Sequence, residues 1–172
     1  MANIRGIQLK SVKTLLMSDG YAITANVYLN NKKAGDIEDE GNGGEMMVRI
    51  DKSYDKSITD IVSNYYKECP KHFIDPNKGD YGQLLEFVEE VLELHETEKT
   101  FKSNTKKGYP ITLVLSTHKR EENPFGKGMK YKSPIMVGVK TWDDKMEKYI
   151  KEQYKDYSII TPYKSLDDFI IK

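Results

Sequence analysis

Apolar and polar residues alternate through Tyr21, Ile23, Ala25, Val27 and Leu29, stop at Asn30-Asn31, resume at Lys32, and stop again at Gly41-Asn42-Gly43-Gly44. A period of two, broken by Asn and Gly, predicts an antiparallel meander. Its strands are expected at 5–17, 21–29, 32–39 and 45–51. Asn30-Asn31 suits a two-residue hairpin turn, because Asn tolerates positive φ. The period then changes. Ile58, Ile61, Val62, Tyr65 and Tyr66 predict a helix from a cap at Ser53 to about Tyr66, before Pro70. Leu84, Leu85, Val88, Val91, Leu92 and His95 predict a second helix with a buried stripe, ended by a polar linker at 102–108. Residues 70–82 and 118–130 read as loops.

Two apolar runs, 111–117 and 131–140, predict a hairpin, with Pro134 at an edge or strand start. Thr141 and Asp144 form a capping-box pattern for a helix carrying Trp142, Met146, Tyr149, Ile150 and Tyr154. A last strand near 158–160 and a short helix starting at Ser165 close the chain. The expected fold is α+β: a four-stranded N-terminal meander packed by helices, a central β-hairpin and a C-terminal helix-strand-helix. Length fits one domain over 1–172, with its weakest seam near 99–110.

Composition narrows the classes. Lys plus Arg and Asp plus Glu both number 27, which argues against a globally basic nucleic-acid binder. Cys69 is the single cysteine, so no internal disulfide forms, as suits a reducing cytosol. No apolar run reaches membrane-spanning length, and no secretion signal opens the chain. The expected location is the cytosol.

Charge is segregated along the chain. Residues 80–98 hold seven acids and no base, whereas 99–132 hold nine Lys or Arg against two Glu. Asp36, Glu38, Asp39 and Glu40, with Glu86, Glu90 and Glu93, are the candidate acidic partner-binding surface. The plain alternative is a solvated helix face beside a basic hairpin. Lys119, Arg120, Lys127, Lys130 and Lys132, with Phe125 and Tyr131 to stack on bases, are the candidate nucleic-acid contacts.

Catalytic and metal motifs fail on spacing. Residues 36–47 begin like a calcium loop, but Met47 stands where a bidentate Glu is needed. Cys69, His72, His95 and His118 lack zinc-site spacing, and His95 falls on an apolar helix face. Asp143, Asp144 and Lys145 sit in the first turn of a helix, where acids favour the dipole. Neither a metal nor another cofactor is expected, and the leading reading is non-enzymatic.

The opening Gly20-Tyr21, Ala25, Val27-Tyr28-Leu29, Lys32-Lys33, Gly35, then Asp39, Gly41 and Gly43-Gly44 resembles the start of small proteins of bacteriophages and other mobile elements. Lys140-Thr141-Trp142-Asp143-Asp144 belongs to the same pattern. The resemblance covers about the first 50 residues and carries no catalytic position. It implies an inhibitor of host defence machinery, a class that includes anti-CRISPR proteins. The implied partner is a host defence protein or ribonucleoprotein, occluded at a nucleic-acid or catalytic surface. The alternative is an RNA- or DNA-binding or processing protein that uses the basic segment 118–132.

Overall fold

The computed structural model describes residues 1–18, 20–68, 79–117 and 133–172. Cys69, His72, His118 and all seven candidate nucleic-acid contacts (Lys119, Arg120, Phe125, Lys127, Lys130, Tyr131 and Lys132) lie outside the described residues, as does Asp19.

The fold is α+β, with strands β1 (Asn3–Ile4), β2 (Ile7–Leu16), β3 (Tyr21–Leu29), β4 (Lys32–Asp39) and β5 (Met47–Ile50) in one sheet. Helices α1 (Asp55–Glu68) and α2 (Asp80–Lys106) follow. Then come β6 (Ile111–Ser116), β7 (Ile135–Val139), α3 (Asp144–Gln153), β8 (Ile159–Tyr163), a 3-10 turn (Leu166–Phe169) and β9 (Ile170–Ile171). The chain forms two units. One holds the described parts of 1–68, 79–95 and 170–172; the other holds those of 96–169. The division falls inside α2, between His95 and Glu96, and N-terminal to the expected seam.

In the first unit the sheet order is β5-β4-β3-β2-β1-β9. Strands β2 to β5 are the expected meander, each antiparallel to the next. Asn30 and Asn31 take φ of 48° and 66°, the turn that two left-handed residues make. The outer pair was not expected. β1 turns into β2 through Arg5-Gly6, both at positive φ, and lies parallel to β9. A two-residue strand carries no readable alternation. Ile7, Leu9, Ala25, Val27, Leu29, Ile37 and Val48 are buried, and so are Ile58, Val62, Tyr65 and Tyr66 of α1.

Helix α2 differs from its expected form in two ways. It continues through the polar segment to Lys106. There Phe101 is buried, Lys102 pairs with Glu98 at 2.7 Å, and the Thr105 hydroxyl donates to the Phe101 carbonyl. Gly108, at φ 86°, ends it, and the Tyr109 amide closes back on the Asn104 carbonyl. Its buried stripe also runs through Phe87, Glu90, Val91, Leu94, Glu98 and Phe101, while Leu84, Leu92 and His95 are only half-buried. Leu85, Val88 and Val91 are buried as expected, so the stripe keeps part of its expected face and spreads to the side that carries Phe87, Glu90 and Leu94.

In the second unit the order is β7-β6-β8, all antiparallel. The expected hairpin is present, and the last strand joins it as a third member. Leu113, Leu115, Val139 and Ile150 form its core, with Trp142, Met146 and Tyr154 packed around them. Asp143, not Thr141, caps α3: its carboxylate accepts from the Met146 amide at 2.8 Å. The C-terminal helix is a single 3-10 turn. Ser165 and Asp168 hold it reciprocally, Ser165 Oγ accepting from Asp167 N–H and Asp168 accepting from the Lys164 and Ser165 amides. Those two amides hold the Asp168 carboxyl below the ordinary carboxylate range.

Candidate partner-binding surface

Past the buried middle of the meander, the β2–β3 hairpin extends as a ribbon. A register shift between Lys10 and Lys13, with Ser11 at φ 56°, marks where β2 leaves the core-facing register. Beyond it, Leu15 pairs with Ala22 and Leu16 with Tyr21, and the Met17 amide donates to the Gly20 carbonyl. Alternation here no longer separates inside from outside. Leu15, Leu16, Met17 and Tyr21 are all exposed, Leu16 by 70% and Tyr21 by 58%. Single exposed apolar residues are ordinary, but here four lie at one hairpin tip, Leu16 and Tyr21 as a cross-strand pair on one face and Leu15 on the other.

The acidic turn between β4 and β5 lies against this tip. Gly41, at φ 67°, has no room for a side chain: a methyl group would come within 2.5 Å of the Ala22 amide nitrogen and 2.7 Å of the Tyr21 carbonyl carbon. The turn is built by its own polar side chains. Asp39 accepts from the Gly41 amide at 2.8 Å and Asn42 from the Gly44 amide at 3.0 Å. Glu40 accepts from the Asn42 side-chain amide at 2.8 Å. Glu40 and Glu45 are exposed and Asp39 is partly so. The backbone of the acidic turn therefore packs on Tyr21-Ala22 of the tip, and Asp39 and Glu40 flank that contact in sequence.

Asp36 and Glu38 are placed differently. They share the outward face of β4 with Arg49 of β5, which bonds to Asp36 at 3.1 Å and to Glu38 at 2.8 Å. Those bonds, Glu38's first, raise the guanidinium pKa further above its ordinary value. Arg49 thus offsets two of the four acids in the stretch.

The helical acids divide as well. Glu93 is exposed and Glu86 partly so. Glu90, expected on the same acidic face, is only 9% exposed and accepts hydrogen bonds from Tyr65 and Tyr66. The spread of the buried stripe accounts for this correction, since Glu90 lies between Phe87 and Leu94 at helical spacing. Burial, then the charges of Glu90 and Glu86, push the Tyr66 hydroxyl pKa up. Sequence reasoning also missed the apolar tip. Leu15, Leu16 and Met17 fall at the end of the strand expected at 5–17, where a run of three apolar residues breaks the alternation.

Among the described residues no cluster of three metal-ligating side chains occurs, and no helix is long and apolar enough to cross a membrane. The chain matches no family model, no curated protein and no solved structure.

Proposed function

We propose that this chain is a non-enzymatic binding protein of a phage or mobile element that inhibits a host defence nuclease of the CRISPR effector type. It acts by covering a nucleic-acid groove. The exposed tip residues Leu15, Leu16, Met17 and Tyr21, with the turn that carries Asp39 and Glu40 packed at Gly41 on Tyr21-Ala22, carry this reading. Grooves for single-stranded nucleic acid combine Lys and Arg with apolar or aromatic platforms for bases. An acidic turn beside apolar side chains is the complement of such a groove: carboxylates meet the cations, and the tip takes the place of stacked bases. Carboxylates at the rim speed encounter, while the buried anchors set residence time.

The test is competition. A panel of purified RNA-guided nucleases is titrated with the chain while binding of labelled guide and target is followed. The expected result is displacement from one effector, lost with Leu16→Ser plus Tyr21→Ser and weakened with Glu40→Lys. Inhibition unaffected by those variants would sink the reading. Direct, salt-sensitive binding of RNA by the chain itself would favour the basic-segment alternative instead.

A further inference from the structure

Beyond that surface, we propose that the groove along the edge of β7, which no strand among the described residues pairs, binds an extended peptide, added as a fourth strand to the sheet of the second unit. The peptide presents alternating apolar side chains and a carboxylate at one end. A sheet edge exposes unpaired amides and carbonyls, and proteins normally blunt such edges. Three of the four described edges are blunted here. On β5, Tyr81 Oη accepts from the Val48 amide at 3.3 Å and Arg49 adds a charge. β9 has only two residues, and β8 carries Pro162 as the fourth of its five. β7 is Ile-Met-Val-Gly-Val, uncharged, free of proline and in unbroken register with β6 over five pairs.

The edge also lies in a prepared groove of about 530 Å³, lined by Tyr109, Val137, Met146, Tyr149, Ile150 and Tyr154, with Lys140 among the polar groups. Gly138 lets Tyr109 approach, since a methyl there would meet Tyr109 Cβ at 3.1 Å. Edge backbone groups select an extended chain, apolar walls accept its alternate side chains, and Lys140 selects a carboxylate. A second copy of this chain is a poorer occupant, because a two-fold contact would set one concave groove against another and fill neither.

The probe is a short labelled peptide of alternating valine and threonine ending in aspartates, measured by fluorescence polarisation. Its partner control is N-methylated at alternate residues, which removes ladder donors and keeps every side chain. Saturable binding that falls roughly tenfold or more on methylation, and again with Tyr149→Ala, is expected. Exchanging the aspartates for lysines should weaken binding to the native chain and restore it with Lys140→Glu. Equal binding of the methylated probe, or no saturable binding, overturns the proposal. So does a dimer in sedimentation analysis that Met136→Lys dissociates, since a second copy then occupies the edge.

Discussion

The backbone of Gly41 lies so close to Ala22 that a single methyl group on Gly41 would reach within 2.5 Å of the Ala22 amide nitrogen. This contact holds the acidic turn to the apolar tip. Gly43, two residues on, also has positive φ, yet nothing lies within 4 Å of where its methyl would stand. The two positions therefore separate strain from clash. Gly43→Ala should cost about 1–2 kcal/mol, the left-handed penalty alone. Gly41→Ala should cost about 1–3 kcal/mol more, as overpacking against backbone does. Urea unfolding of both variants checks the difference, and equal losses would mean that tip and turn are not in contact.

Arg49 gives a handle on charge with little effect on folding. Its bonds to Asp36 and Glu38 are exposed, and ion pairs in water contribute little to stability. Arg49→Ala should therefore leave the unfolding midpoint nearly unchanged. It also releases two carboxylates beside Asp39 and Glu40. Association with a basic partner should become faster and more salt-dependent, because exposed charges act within a Debye length of about 8 Å at physiological salt. Stopped-flow association across a salt series reads this directly. An unchanged rate would place the contact elsewhere.

Tyr65 donates to Glu90 at 2.9 Å and Tyr66 donates to it at 3.2 Å, within a cluster where Tyr65 and Phe87 meet edge-to-face. Hydrogen bonds to a charged group contribute about 1.5–3 kcal/mol, so Tyr65→Phe should lower unfolding stability by that order. Leu85→Ala, at a buried site outside this network, serves as an ordinary core comparison.

Tyr66 also has a pH signature. Its folded pKa lies above the ordinary value near 10, so its contribution is fully present below pH 10. As pH rises past 10 the unfolded hydroxyl ionises first, and that contribution is progressively lost. Urea unfolding across pH 9–11 should show a decline that Tyr66→Phe makes shallower. An identical decline in the variant would rule out Tyr66 as its source.

The meander was legible because one sheet face is buried and the other wet, so Ala25, Val27 and Leu29 alternate with Asn26 and Tyr28. The same rule failed at Leu15 and Leu16, where neither face is covered. It failed on α2 because Phe87 stands among glutamates and turns Glu90 inward, a placement decided by tertiary packing. The acidic turn was readable as a turn from Asp39 to Gly44. That it lies beside Tyr21 was not, since the approach depends on the backbone geometry of two separate hairpins.

The start of α3 decides between neighbouring acids of similar appearance. Asp143 has extended backbone, at φ −133° and ψ 174°, and its carboxylate accepts from Met146 N–H, whereas Asp144 is the first helical residue. A cap satisfies an amide that the helix leaves without a partner, and its removal costs about 0.5–2 kcal/mol. A first-turn acid interacts only with the dipole, worth about 0.3–1 kcal/mol and screened by salt. Asp143→Ala should thus destabilise more than Asp144→Ala, and Thr141→Ala should be nearly silent. Raising salt should shrink the Asp144 effect and leave most of the Asp143 effect. Asp143→Asn should retain much of the stability, because an amide oxygen still accepts the bond, and thermal unfolding of the four variants at two salt concentrations tests the order. If the Asp143 loss vanishes in high salt, the carboxylate acts as a charge and the cap is not what holds this end of the helix.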